Sequence, residues 1–262
     1  MAELVSRQDF DGGVALLTLQ GDAAAKGFSI QGMEAISSSI NSALDDENIR
    51  AIVITGSGRF FCAGADLNKF KATIDDGTIV DLIEKLTSKL HPLQIRMRQS
   101  AKICIAAING AAAGGGLGLA LACDARIASE NALLVSGFAS LGLSPDGGTT
   151  WLLPRLVGVQ VAKKFFLNNE RWSASQALDY GVVDEITSTD ELISSAINLA
   201  KKWGDWAKHT RESTKHLLDT QSIQDFETHL RHEQILIMAA GPTADFSEGV
   251  DAFLSKRKPD FS

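Results

Sequence analysis

The sequence predicts a mixed α/β protein in which a repeated strand-turn-helix unit builds the core and a helical carboxy-terminal third follows it. Three observations carry this. An apolar strand, a glycine turn, an Ala/Gly corner and a helix occur in RAIVITGSGRFFCAGADLNKF and again over 103–122, about 50 residues further on. The strands in these units, such as Ile103–Ile108, are continuous apolar runs rich in β-branched residues, the pattern of strands buried on both faces. From Ser188 onward no strand signal remains, and charged residues fall on one helical face with Leu, Ile, Trp and Phe on the other.

Taken in order, residues 3–10 and 14–20 are expected to pair as strands across the turn Asp11-Gly12-Gly13. GDAAAKGFS then reads as a loop ending in Ser29, an N-cap for a helix over 30–45. Arg50–Thr55 is a buried strand, 56–58 a turn, and the small-residue segment from Cys62 to Ala65 leads into a helix opened by Asp66. A long amphipathic helix over 78–99 contains Pro92, which should kink it or start a new turn. The run 103–123 gives strand, glycine cluster (114–116) and small-residue helix. Ser-Pro-Asp-Gly-Gly around Asp146 is a second turn before a helix in TTWLLPRLVG. A helix over 160–168, a short one capped by Ser173 and a last strand in VVDEI complete the core.

At 262 residues the chain can bury a full core, and 23 Gly against 5 Pro points to tight turns and close helix contacts. A net charge of −7 and the absence of a basic stripe argue against a nucleic-acid partner. No apolar run reaches membrane length and the first residues lack a secretory pattern, so a cytoplasmic protein without a membrane partner is expected. Cys62, Cys104 and Cys123 have no ligand spacing and read as buried free thiols in a reducing compartment. No metal site is expected: His209, His216, His229 and His232 fall on polar helix faces without acidic or cysteine partners at ligand spacing.

The glycine cluster matches neither G-x-x-x-x-G-K-[ST] nor G-x-G-x-x-G, and no G-x-S-x-G is present, so nucleotide-loop and serine-hydrolase chemistry are disfavoured. What it does offer is a helix start with free N–H groups, suited to a developing negative charge. Two such corners facing one another would present two amides to one oxygen, although glycine-rich corners are commonly topology alone. Asp146 could serve equally as a turn former or N-cap. His91 would ordinarily be a helix-surface or packing residue.

Phe61-Cys62-Ala63-Gly64-Ala65-Asp66-Leu67 and Ile108-Asn109-Gly110-Ala111-Ala112-Ala113-Gly114-Gly115-Gly116-Leu117-Gly118 together resemble the crotonase (enoyl-CoA hydratase/isomerase) superfamily. GLSPDGGTTWLLPRLVG and SEGVDAFLSKRKPDF are similar to that family as well, so the resemblance spans nearly the whole chain. It implies a spiral of ββα units over 1–195, and a helical region over 196–262 that builds trimers or hexamers and contributes to the acyl-CoA site. It also implies a coenzyme A thioester as substrate, with no separate cofactor. The thioester oxygen is held in the family by two amides that map onto Ala65 and Gly115. Coenzyme A contacts map more loosely onto Lys26, the stretch Ala63, Asp66 and Leu67, Gly114, and Phe253 and Lys256 reaching over from the tail.

The hydratases resemble this sequence except at two glutamates, whose positions here are Gly118 and Phe138. Asp146 falls where isomerases acting on ring-epoxidised phenylacetyl-CoA or unsaturated acyl-CoAs, and 4-chlorobenzoyl-CoA dehalogenases, carry a working aspartate. His91 lies near a helix histidine of the dehalogenases, but those enzymes have tryptophan at the Phe138 position and an aryl pocket unmatched here. The resemblance therefore implies an isomerase moving a double bond from the 3,4 to the 2,3 position through an enolate. Asp146 would be its acid and base, and Phe138, Leu141 and Trp151 an apolar wall that excludes water and raises the Asp146 pKa. A hydratase-like lyase, an aryl-CoA dehalogenase or thioesterase, and a non-catalytic acyl-CoA binder are the alternatives.

Overall fold

The computed structural model describes residues 3–261. The amino-terminal strands β1 (Val5–Phe10) and β2 (Val14–Leu19) pair antiparallel. The stretch expected as a plain loop contains a short helix, α1 (Asp22–Ala25), before α2 (Ile30–Asp45), which is capped by Ser29 accepting from the Gly32 amide. Then follow β3 (Ala51–Gly56), β4 (Phe60–Cys62), α3 (Leu67–Asp75) and α4 (Ile79–Gln99). The second unit is β5 (Ile103–Ile108), β6 (Ala111–Ala113) and α5 (Gly115–Ala122), and the third opens with β7 (Ala125–Ser129) and β8 (Leu133–Val135). After it come α6 (Thr149–Val157), α7 (Val159–Leu167), β9 (Arg171–Ser173), α8 (Ala174–Asp179) and β10 (Glu185–Thr187). The tail carries α9 (Leu192–Gly204), α10 (Lys208–Thr220), α11 (Phe226–Ala240) and α12 (Ala244–Leu254).

Two sheets form, in the orders β1-β2-β3-β5-β7-β10 and β4-β6-β8-β9. Each of the pairs β3/β4, β5/β6 and β7/β8 gives its first strand to the larger sheet and its second to the smaller, so the chain winds as a spiral of ββα units. The internal repeat in the sequence is this winding: Ala51 pairs in parallel with Ile103, and Phe60 with Ala111. Apolar residues on both faces of β3 and β5 are fully buried, which is why their sequences show no alternation.

The helix α4 runs continuously through Pro92. The last strand lies at Glu185–Thr187, and the Val182 and Val183 expected to begin it are instead buried in the preceding turn. The expected boundary at 195/196 falls inside α9. That helix buries Leu192, Ala196, Ile197 and Ala200 against Val14, Val53, Ile105 and Ile127 of the main sheet.

Charge docks α10 onto the core. Lys215 Nζ lies 3.0 Å from Asp124 Oδ2 and donates to the carbonyls of Met97 and Lys102, while burial pushes the Asp124 carboxyl above its ordinary pKa. Beyond it, α11 and α12 leave Phe226, Ile235, Ile237, Met238, Phe253 and Leu254 exposed. Cys62, Cys104 and Cys123 are buried free thiols, and desolvation raises Cys62 to about 11 and Cys104 to about 12. Among the described residues, no helix is long and apolar enough to cross a membrane, and no group of three metal-ligating side chains occurs. The carboxy-terminal histidines do not all sit on free polar faces: His209 Nε2 bonds the Leu236 carbonyl at 2.8 Å, and the His216 and His232 rings lie 6.5 Å apart.

Candidate active site

Parallel pairing of β4 with β6 brings the two Ala/Gly corners together. Asn109 fastens them: its side chain accepts from the Gly56 amide at 2.9 Å and donates to the carbonyls of Gly58 and Phe60, both at 3.1 Å. Phe28 touches both corners. Its amide donates to the Gly64 carbonyl at 3.0 Å, it bridges Ala65, and its ring lies where a Cβ on Gly115 would come within 2.5 Å. A side chain at 115 would therefore collide with Phe28. At Gly116 an added Cβ would stand 2.0 Å from the Cys62 carbonyl, so the first turn of α5 rests directly on the β4 backbone.

Gly114 enters α5 with φ +53°, a conformation that favours glycine, and turns the amide of Gly115 into the first helical position. Among the described residues, neither the Ala65 nor the Gly115 amide donates to a protein acceptor. At α5 this follows from helix geometry, since the first N–H groups of a helix have no partner within it. Asp66 does not share this freedom, because its carboxylate caps α3 by accepting from the amides of Asn68 and Lys69.

Asp146 stands in a turn whose next two residues, Gly147 and Gly148, both have positive φ. This turn packs on α5: a Cβ on Gly147 would lie 3.6 Å from the Gly115 Cα, and one on Gly118 would lie 2.3 Å from the Gly147 carbonyl oxygen. Asp146 does not cap α6 with its side chain; its carbonyl does the local work, accepting from the Thr149 hydroxyl at 2.9 Å. The carboxylate points elsewhere, to His91 Nε2 on α4 at 2.8 Å. Sequence reasoning treated His91 as a helix-surface residue, and only the histidine of the dehalogenases hinted at the pairing. Gln94, one turn further along α4, was missed altogether; it is buried and donates to the Gly147 carbonyl at 2.9 Å.

Lys26 and the stretch 63–67 converge near the corners. Lys26 directly follows α1, whose Ala24 carbonyl accepts from the Ala63 amide, and Leu67 opens α3 half exposed. Of the three residues expected to wall the carboxylate, Trp151 lines the same cavity as Asp146, whereas Phe138 and Leu141 do not line it. Phe138 is buried and approaches Gly114, but Leu141 lies exposed in a short 3₁₀ turn. Trp151 is partly exposed, with the Arg155 and Arg98 guanidinium carbons 3.3 and 5.4 Å from its ring centre. The Asp146 side chain is 43% exposed, with imidazole as its nearest polar partner. It faces a cavity of about 1060 Å³ between α4, α6 and α10, lined also by His91, Arg98, Trp151 and His216.

Phe253 and Lys256 are not brought to the corners within one chain. The tail beyond α12 is tied to Arg50, ahead of β3, by a hydrogen bond to the Phe261 carbonyl, whereas the corners lie beyond the other end of that strand. Ring packing of Trp206 on Phe261 holds the tail there.

Residues 9–262 match the model of the family described as enoyl-CoA hydratase/isomerase. The chain is 34% identical over 250 residues to the 1,2-epoxyphenylacetyl-CoA isomerase of Escherichia coli (strain K12), covering 95% of each. It is 36% identical over 262 residues to the 2,3-dehydroadipyl-CoA hydratase of the same organism, covering 100% of this chain and 99% of that protein. Among solved structures, an enoyl-CoA hydratase from Polaromonas sp. JS666 superposes with a TM-score of 0.89 at 32% identity, covering 98% of this chain and 99% of that one. The paired corners, the spiral that aligns them and these likenesses agree: the chain belongs to the enoyl-CoA hydratase/isomerase family.

Proposed function

We propose that this protein is an acyl-CoA isomerase that shifts a double bond from the 3,4 to the 2,3 position of a coenzyme A thioester. The thioester oxygen lies between the amides of Ala65 and Gly115, which stabilise the enolate formed when a C2 proton leaves. Asp146 takes that proton and returns it at C4. With the carboxylate ionised, the Nε2–H of His91 donates to Oδ1 and orients the group, leaving Oδ2 for proton transfer. Each amide donor contributes roughly 3 kcal/mol to lowering the barrier.

One observation carries the reading: the turn that bears Asp146 fills the space next to Gly118. At 118, one of the two positions matching hydratase glutamates, an added Cβ would lie 2.3 Å from a backbone oxygen; the other, Phe138, is buried and apolar. Water addition draws on two carboxylates, whereas moving a double bond needs one that both removes and returns a proton. The exposed apolar faces of α11 and α12 support assembly into a trimer or hexamer, through which Phe253 and Lys256 of one copy reach the coenzyme A of another.

The test is an assay of purified protein with a 3-enoyl-CoA and with crotonyl-CoA. Conversion of the first to a 2-enoyl-CoA with little hydration of the second is expected. Rapid hydration of crotonyl-CoA without isomerisation overturns the proposal.

The contact between His91 and Asp146 favours one second reading, in which Asp146 attacks the thioester carbonyl carbon and expels the coenzyme A thiolate, or an aryl carbon and expels its halide, and His91 then takes a proton from the water that cleaves the resulting anhydride or ester. A covalent adduct on Asp146 in the mass spectrum of a quenched turnover would distinguish it.

A further inference from the structure

The Gly147 peptide is held from two sides. On the α4 side the buried Gln94 amide donates to its carbonyl at 2.9 Å, and Leu90 lies 3.4 Å from where a Cβ on Gly147 would stand. On the α5 side the bare Cα atoms of Gly115 and Gly118 are 3.6 and 3.7 Å from that same point. Among the described residues, Gln94 is the donor to the Gly147 carbonyl, because the Thr149 amide turns back to the Asp146 carbonyl and those of Trp151 and Leu152 to Gly148. A buried carbonyl deprived of its donor has reason to rotate toward solvent or another N–H. Two consecutive residues with positive φ, Gly147 and Gly148, give the turn little steric resistance to such a rotation. Its conformation is thus set from outside, by α4.

We propose that Gln94 is a positioning residue for Asp146. By holding the Gly147 carbonyl it fixes how far the neighbouring carboxylate stands from the Gly115 amide, and hence whether C2 of a bound thioester falls within reach of Oδ2. His91 and Gln94 lie three residues apart on one face of α4 and act as a pair: the first orients the carboxylate, the second holds the backbone that carries it. This inference rests on the reading of Asp146 as the proton-moving group.

Steady-state kinetics on Gln94→Met and Gln94→Glu test it. Methionine keeps the length and packing of the side chain but cannot donate. The kcat of Gln94→Met is expected to fall roughly ten- to a hundredfold with KM little changed, the result of a misplaced reacting group rather than lost binding. In Gln94→Glu the introduced carboxyl donates when protonated and repels the carbonyl when ionised, and burial raises its pKa. The ratio of its kcat to that of the wild type should therefore fall at least about tenfold between about pH 6 and about pH 9.

A wild-type kcat in Gln94→Met, or a loss confined to KM, overturns the proposal. Should Gln94→Met fail to fold, the Gln94→Glu ratio decides, and a ratio independent of pH overturns it. Independently of any activity, a crystal structure of Gln94→Met, or of Gln94→Glu at about pH 9, is expected to show the Asp146–His91 contact opened; an unmoved carboxylate contradicts the role. Full turnover in Asp146→Asn would remove the reading of Asp146 itself, whereas an inactive Asp146→Asn beside a fully active Gln94→Met would remove only the role of Gln94.

Discussion

Replacing Asp146 with asparagine is expected to lower isomerisation by about 10²- to 10⁴-fold, the usual contribution of a positioned acid or base, while acyl-CoA binding stays within a few-fold of normal. The carboxamide has the same shape and its oxygen can still accept from His91 Nε2, so the turn and its contact with α4 survive. The substrate is expected to keep its hold because, in the proposed mechanism, the thioester oxygen is bound by main-chain amides at 65 and 115 that the substitution does not touch. Steady-state kinetics with a 3-enoyl-CoA, paired with calorimetric titration of a non-reacting acyl-CoA, check both halves. A loss of binding equal to the loss of rate would show that Asp146 holds substrate and does not move its proton.

The second large effect is expected at Gly118. A methyl group there would stand 2.3 Å from the Gly147 carbonyl oxygen and 3.1 Å from its carbon, and both are backbone atoms of a packed turn. Gly118→Ala must therefore push the 145–148 turn off α5, at a stability cost of about 1–3 kcal/mol. Because that turn carries Asp146, a shift of about 1 Å should also lower kcat roughly a hundredfold. Thermal denaturation and kinetics on the same preparation check the two together. Gly118→Glu places a carboxylate where the hydratases have one, yet it is expected to gain no hydration of crotonyl-CoA, since the side chain has no room beside the Asp146 turn. The turn that carries Asp146 leaves no room for a side chain at 118.

Much of this was legible in the sequence because it rests on local chemistry. Ser29 and Asp66 cap helices where their side chains allow, Ser173 closes a capping box with Gln176, and Asp11-Gly12-Gly13 makes the first hairpin turn. The spiral was visible as a repeat, since both units need an apolar strand followed by residues small enough to let the next helix approach. The three-residue strands β4, β6, β8 and β9 were not visible, because so short a segment carries no period and becomes a strand only through its partners.

The same distinction separates the readable from the hidden parts of the site. Gly115 and Gly118 stood out through the family motif in which they lie. Asn109, His91 and Gln94 act through partners about fifty residues away, and nothing adjacent in the chain marks them. Phe138, Leu141 and Trp151 were grouped as one wall on apolar character alone, whereas they lie respectively in the core, on an exposed turn and between two arginines.

The most direct measurement of the central claim leaves out both isomerisation and hydration. Phenylacetyl-CoA has acidic C2 protons and no aliphatic double bond to move, so deuterium uptake at C2 in heavy water reports only enolate formation at the corner. Exchange catalysed by the wild-type protein and abolished in Asp146→Asn is the predicted result. Exchange that continues undiminished in Asp146→Asn would place the base on another residue and contradict the account.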